Sequence, residues 1–156
     1  MNSIRERIIQ EIIRRIGTNA FANVAFDKII RGEIPDDYAG KQGSILAALE
    51  GRESISADAN RTGQNTLELL LSFAVPLATG EVAATVSNNV AAELVKALAG
   101  QHTLLEGGDG APLSCSFKAI AIEPNLLADG GECATGIVEY QLTYRTDARD
   151  PFAVRP

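Results

Sequence analysis

The sequence has few cysteines and no long apolar run. It has no tryptophan, one methionine and two cysteines among 156 residues. Two cysteines, Cys115 and Cys133, are too few for the disulfide framework of a secreted domain, so we expect both to be reduced. No apolar run approaches a membrane span, and residues 1–7 lack the pattern of a secretory signal. We therefore expect a reducing compartment and no contact with a membrane.

Basic residues are also scarce. The chain has 14 lysines and arginines against 20 aspartates and glutamates, which gives a formal net charge of −6. Proteins that bind nucleic acid tightly present a clustered basic surface to the phosphates. The sequence therefore predicts no stable binding to DNA.

Residues that perform chemistry are few and scattered. His102 is the only histidine, and no cysteine or carboxylate lies at ligand spacing from it, so we interpret it as a surface or capping residue. Cys115 could be a nucleophile only if the fold brought His102 close to it. The glycines at 107–110 are not followed by the Lys and Ser/Thr of a phosphate-binding loop. We expect no catalytic residue, no metal and no cofactor, and we look for function in surfaces.

Two helices are predicted from hydrophobic spacing. Ser3 and Glu6 have the spacing of a capping box, and isoleucines follow at helical intervals over residues 4–16 until Gly17. A second apolar stripe over residues 82–98 predicts another helix, with Gly100 in a position suited to a C-terminal cap.

Alternating and continuous apolar runs predict the strands, at residues 22–31, 44–50, 66–77, 114–123 and 136–147. In the last of these, Val138, Tyr140, Leu142 and Tyr144 occupy one face. The order of elements predicts a single domain over residues 1–156, of the α+β class, with a mainly antiparallel sheet and two principal helices packed on one face. Because Pro151 cannot donate to a ladder, we expect regular pairing to end there and residues 148–156 to form an extended arm.

Over nearly its whole length this order of elements resembles the tail terminator (tail completion) proteins of tailed bacteriophages. The resemblance is based on the first helix, the stretch 49–54, the strand 66–77 leading to Gly80, Glu81 and the second helix, and the stretch 138–147 before Asp150, Pro151 and Phe152. It implies a virion structural protein that is assembled in the host cytoplasm. In that family, subunits form a hexameric ring at the head-proximal end of the tail tube.

The resemblance implies several partners and no enzymatic activity. Each subunit would contact copies of itself, the tail tube protein and the head-side connector, while DNA passes through the channel without specific binding. A ring needs two different faces on each subunit that fit each other. We expect charged and apolar residues near the C-terminus to form the subunit interface, namely Arg145, Asp147, Arg149, Asp150 and Phe152. The alternative is that this tail frays.

Two polar segments, 32–43 and 52–63, are predicted to be loops. In the proposed ring they would dock on the tube or line the channel, where acidic residues repel passing DNA. The candidates, some of them placed in turns around Gly51, are Glu33, Asp36, Asp37, Glu50, Arg52, Glu53 and Asp58. The alternative for these carboxylates is an ordinary solvated surface.

Two other functions remain open at this point. Another neck or head-completion protein of the virion could have the same order of elements. A small cytosolic ligand-binding protein or a thioesterase-like enzyme would instead place a site around Cys115, His102 or the acidic turns.

Overall fold

The computed structural model describes residues 2–35, 43–57, 62–103, 114–124, 133–147 and 149–154. Within these ranges the chain forms two helices and seven strands. In chain order they are α1 (Ile4–Thr18), β1 (Lys28–Arg31), β2 (Ile45–Ala57), β3 (Thr62–Pro76), α2 (Ala83–Ala97), β4 (Gly100–Thr103), β5 (Ser114–Pro124), β6 (Cys133–Asp147) and β7 (Asp150–Val154).

The strands form one sheet in the order β1-β2-β3-β6-β5-β4, and β7 pairs with β6 outside this path. Only the β1–β2 pair is parallel. Both helices pack on the face formed by Leu69, Leu71, Val138 and Tyr140, and the apolar residues of helices and sheet form a single core. The α+β architecture with helices against a mainly antiparallel sheet is confirmed.

Helix α1 begins as its sequence predicts and ends later. The Ser3 hydroxyl accepts from the Glu6 amide at 3.3 Å, which satisfies one of the free donors of the first turn. The isoleucine stripe is buried against the sheet. Gly17 does not stop the helix, which continues to Thr18, whose hydroxyl donates to the Arg14 carbonyl at 3.0 Å.

The segment before β2 is mostly not a strand. Only Lys28–Arg31 of the predicted strand 22–31 pairs, along residues 45–48 of β2. The preceding residues are held instead by the Glu93 carboxylate of α2, which accepts from the Ala22 amide at 2.7 Å and the Asn23 amide at 3.2 Å. The weakly patterned run 44–50 is indeed a strand, but β2 continues to Ala57. The predicted loop 52–63 is therefore wrong over residues 52–57, and also over residues 62–63, which begin β3.

Helix α2 lies within a residue of its predicted bounds, but Gly100 does not cap it. The helix ends at Ala97, and the amide of the next residue, Leu98, caps it by donating to the Leu94 carbonyl at 3.3 Å. Gly100 begins β4, a four-residue strand that is too short to produce a periodic signal. On β6, a side chain at Gly136 would place its Cβ 2.5 Å from Phe73 Cζ and 3.0 Å from Ser87 Oγ of α2. The absence of a side chain there allows α2 to lie close to the sheet.

The C-terminal segment returns to the sheet. Strand β7 pairs with β6, with Val154 opposite Thr146 and Asp150 opposite Asp147. Pairing therefore resumes beyond Pro151, at Val154, but the register shifts between the two pairs, so the regular ladder that was expected to end at Pro151 does not continue through it. Pairing is available here because the contact of β5 with β6 starts only at Tyr144, so the last residues of β6 extend beyond β5. In the part of the chain that is described, neither helix is long and apolar enough to cross a membrane.

Candidate functional site

A bulge in β2 places two glutamates on the face covered by the helices. Glu50 is opposite Leu69 of β3 and Glu53 is opposite Leu67, so β2 has one extra residue between them. In a regular strand, residues three apart point to opposite faces. The extra residue brings both carboxylates to the same face, beside the first turn of α1. Gly51 fits in the bulge because a Cβ there would lie 3.0 Å from Glu68 Cβ.

Glu50 and Glu53 hold the start of α1 on the sheet. Arg5 donates from Nε to Glu50 Oε2 at 2.9 Å and from Nη1 to Glu53 Oε2 at 3.2 Å. Arg31 of β1 donates to Glu50 Oε1 from Nε at 2.5 Å and also from Nη2. Its Nη1 donates to Glu6 Oε2 at 2.7 Å. The Glu50 and Glu53 side chains are 14% and 17% exposed, so these are not solvated loop residues.

The network shifts the pKa values of Glu6, Arg31 and Tyr144. The hydrogen bond from Arg31 lowers the pKa of Glu6 below 4.5. Hydrogen bonds to Glu6 and Glu50 raise the pKa of the Arg31 guanidinium above its usual value. Tyr144 donates its hydroxyl to Glu53 Oε1, and its pKa is raised by burial and by that carboxylate. The tyrosine therefore stays neutral at physiological pH and supplies a hydrogen bond rather than a charge.

A groove of about 290 Å³ lies next to this network, at the end of the sheet where β2 and β6 finish and β3 begins, which we call the hairpin end. Its wall includes the exposed side chain of Ile55, and Asn65 lies buried in its floor, where it donates to Thr146 Oγ1 at 2.8 Å. The lining residues are Ser3, Arg5, Glu53, Ile55, Asn65, Tyr144, Thr146, Asp147 and Arg149.

This groove brings together residues from both predicted sets. Glu53 was predicted to lie in a docking loop, and Asp147 and Arg149 at a subunit interface, yet all three line the same surface. The Arg149 amide donates to Asp147 Oδ1 at 2.9 Å, which shapes the turn before β7. The groove thus joins two stretches that are separated by more than eighty residues in the sequence.

The other predicted residues are more widely spread. Arg145 is exposed on the sheet face opposite the helices, Arg52 is exposed in the bulge, and Glu33 is exposed just after β1. Asp150 is exposed in β7, and Phe152 lies in the same strand. Asp36, Asp37 and Asp58 fall outside the described residues.

The fold does bring His102 next to Cys115, because the two residues are directly opposite each other in the β4–β5 pair. The thiol is nevertheless fully buried, and burial raises its pKa to about 12. A thiol with this pKa is not ionised near neutral pH and is a poor nucleophile. Among the residues that the structure describes, no three acidic, histidine or cysteine side chains are grouped as metal ligands would be.

Arg5, Arg31 and Tyr144 were not predicted as site residues. Their sequence context is an amphipathic helix and two strands, and only the tertiary fold places them beside Glu50 and Glu53. Ile55 had a weak signal, since it is an isolated isoleucine between Ser54 and Ser56. Comparison of the chain with models of known protein families gives no match, and a search of curated proteins gives none either.

Proposed function

We propose that this protein is a tail terminator of a tailed bacteriophage. It forms a hexameric ring at the head-proximal end of the tail tube, stops polymerisation of the tube and offers a docking surface to the head-side connector. Its work is recognition by shape and charge between protein subunits, with no bond made or broken.

The observation that most supports this proposal is the meeting of two sequence stretches. The resemblance to tail terminators is based in part on residues 49–54 and 138–147, which are far apart in the chain. In the fold they are joined by the hydrogen bond from Tyr144 to Glu53 and by the groove at the hairpin end. Two stretches that share one surface are consistent with a common role in assembly.

The C-terminal residues are suited to an interface between subunits. Arg145 and Arg149 are exposed on a chain that is acidic overall, and Asp147 and Arg149 line the groove. Arginine is enriched in protein interfaces, where its planar guanidinium can donate two parallel hydrogen bonds to one carboxylate. In the proposed ring, these residues contact acidic groups of a neighbouring subunit, and Phe152 supplies an apolar contact.

The roles of the acidic candidates divide according to their surroundings. Glu50 and Glu53 are paired with arginines, so in the proposed ring they fix α1 and contribute little to the field in the channel. Glu33 is exposed and remains a candidate for a surface that repels DNA. Termination itself follows if one ring face fits the last tube ring and the other face excludes a further tube subunit.

Charge removal at Arg149 tests the interface. We expect Arg149→Gln to weaken the ring, measured as a lower oligomer mass at equal concentration, because an exposed arginine of the groove is lost. The matched control is Lys96→Gln, which removes one positive charge from an exposed position near the end of α2, and we expect it to leave the ring unchanged. Equal ring stability in both variants contradicts a role for the groove in assembly.

A further inference from the structure

The two short outer strands leave an unpaired edge on each side of the sheet. Strand β1 pairs only with residues 45–48 of β2, and β4 pairs only with residues 114–117 of β5. Among the described strands, none pairs with the outer side of residues 53–57 of β2 or of residues 121–124 of β5. We call these the β2 edge and the β5 edge.

The two edges lie at diagonally opposite corners of the sheet. Ile55 on the β2 edge is level with Asn65 and Tyr144, at the hairpin end. Ile122 on the β5 edge is level with Val138 and Leu71, toward the other end. The β2 edge and the β5 edge therefore differ in position, which is what contact between the front of one copy and the back of the next requires.

Exposed apolar side chains mark both edges. Ile55 on the β2 edge is 65% exposed and Ile122 on the β5 edge is 46% exposed, while Ile120, in the bulge just before the β5 edge, is 48% exposed. In the described part of the chain there is one other large apolar side chain of comparable exposure, Val82 at the start of α2. Single exposed apolar residues are common, but their concentration on two unpaired strand edges is typical of an interaction surface.

The backbone N–H and C=O groups of Ile55 and Ile122 point away from the sheet, where a further strand could bind them. The Ala48 carbonyl of β2 accepts from the Gly32 amide beyond β1 at 2.9 Å, so the polar groups of Ala48 are directed away from β3. Outward and inward groups alternate along an antiparallel strand, and the bulge keeps Ile55 in the series of Ala48. The same rule can be followed across the sheet through residues that are directly opposite each other. Because Ala48 points away from β3, the polar groups of Leu71 and Val138 point toward each other. Those of Ile122, opposite Val138, then point away from β6.

We propose that the β2 edge of one copy of this chain pairs antiparallel with the β5 edge of a second copy, with Ile55 opposite Ile122. The two isoleucines exchange backbone hydrogen bonds and their side chains pack together on the face that carries the helices. This inference rests on the proposed ring and specifies which surfaces join its subunits. Adding a strand from another molecule to an exposed edge is a common mode of recognition.

The geometry of the two edges is suited to closure into a ring. Ile55 and Ile122 are level with residues six apart on β6, which is about 20 Å along a strand. The four strands β2, β3, β6 and β5 together occupy about 19 Å across the sheet. Each copy is then shifted from the one before it by similar distances along and across the strands, so the line that joins successive copies makes an angle of about 45° with the strands. This is close to the strand tilt of about 35–45° in closed barrels.

Each edge is short, which limits wrong pairings. The bulge at Glu50 to Glu53 bounds the β2 edge, and the bulge at Ala119 to Ala121 bounds the β5 edge. Bulges and charged residues on an edge strand oppose indiscriminate pairing between sheets. Only a few residues remain on each side, so the register is restricted to a small number of choices.

A cross-linking experiment tests the pairing directly. Residues that exchange hydrogen bonds across an antiparallel pair have Cα atoms about 5.5 Å apart, which a disulfide can bridge. We expect the double variant Ile55→Cys/Ile122→Cys, treated with a mild oxidant, to give a ladder of covalent multimers on a non-reducing gel. Each single variant gives no ladder, and the native Cys115 and Cys133 are buried. A double variant without a ladder overturns the proposal.

Charge substitution gives a second readout that does not depend on oxidation. We expect Ile55→Asp to raise the concentration at which the oligomer dissociates by about tenfold or more, because a carboxylate replaces a packed apolar group. The matched control is Val82→Asp, which changes an equally exposed apolar residue away from both edges. Equal dissociation of the two variants overturns the pairing, and circular dichroism confirms that both are folded.

Failure of this inference differs from failure of the proposed function. If native mass spectrometry finds the ring but the cysteine pair gives no ladder, the ring is joined by other surfaces and only the inference is wrong. If the ladder forms but the protein does not bind the ends of purified tail tubes, the pairing is correct and the tail terminator function is wrong.

Discussion

Glu50 accepts from two arginines on different elements, Arg5 of α1 and Arg31 of β1, while only about a seventh of its side chain is exposed. A carboxylate in this position stabilises the fold only while both cations remain near it, because its own desolvation opposes folding. The same residue therefore joins a helix, an outer strand and the central sheet next to the groove.

Neutralising Glu50 tests this role. We expect Glu50→Gln to lower the free energy of unfolding by about 1–2 kcal/mol, since two partly exposed arginines lose their shared carboxylate. The measurement is urea denaturation. The control is Glu11→Gln, whose partners Arg14 and Arg15 lie on the same helix, and we expect it to cost less than about 0.5 kcal/mol. A larger loss for the control than for Glu50→Gln contradicts the account.

The lowered pKa of Glu6 predicts sensitivity to acid. Arg31 keeps Glu6 ionised in the folded protein to a lower pH than in the unfolded chain, where a glutamate titrates near 4.5. The stabilisation from this pair is complete above that pH and is lost as the pH falls through the lower pKa of the folded state. We expect the urea concentration at the unfolding midpoint to decrease as the pH is lowered beneath about 4.5. In Arg31→Gln we expect the midpoint to decrease less steeply with pH. An unchanged slope in that variant contradicts the assignment.

At the scale of elements, the packing of α2 on β6 requires the helix to approach the strand closely at Gly136. A methyl group there would meet Phe73 and Ser87, whose hydroxyl donates to the Thr135 carbonyl at 2.7 Å. Helix α2 would have to move outward and part of the core would be exposed. This approach explains why a glycine occurs within a strand that is otherwise rich in large residues.

Two glycine substitutions are expected to have opposite signs. Gly136→Ala should destabilise the fold by about 1–3 kcal/mol through overpacking. Gly17→Ala should stabilise it by about 0.5–1 kcal/mol, because Gly17 is helical and a Cβ there would lie 3.5 Å from Ile29 Cδ1, which is ordinary contact. Thermal unfolding followed by circular dichroism measures both. Stabilisation by Gly136→Ala would contradict the packing described here.

The elements that could be predicted from the sequence are the long ones that have one buried face. Strands β3 and β6 alternate between a buried and a more exposed face over most of their length, and both were predicted. Helix α1 was predicted from its isoleucines. Strand β2 was predicted only up to Glu50, because the bulge breaks the alternation and puts two charged residues on the inner face. Strands β1 and β4 have four residues each and give little periodic signal.

The site was harder to predict than the fold for a physical reason. Glu50 and Glu53 were identified from the sequence as polar candidates, but their partners Arg5 and Arg31 are brought to them only by the packing of α1 and β1. Pairing converts residues that were expected to be solvated into structural ones. The groove likewise exists only because β2 and β6 end at the same place, which no local pattern predicts.

At the scale of the whole molecule, the proposed function requires that a subunit with unlike edges close on copies of itself and then on a tube. The protein is acidic overall, whereas Arg145 and Arg149 lie exposed near the hairpin end. Contacts between copies should therefore weaken as salt concentration rises, since exposed ion pairs are screened. The proposed apolar contact between Ile55 and Ile122 should not weaken in this way.

Electron microscopy of the purified protein mixed with purified tail tubes, with the oligomer mass measured by native mass spectrometry, tests the central claim most directly. We expect closed hexameric rings, bound at one end of each tube, and tubes that no longer lengthen when more tube protein is added. A protein that stays monomeric at high concentration, leaves tube ends bare and does not halt their growth would contradict the account.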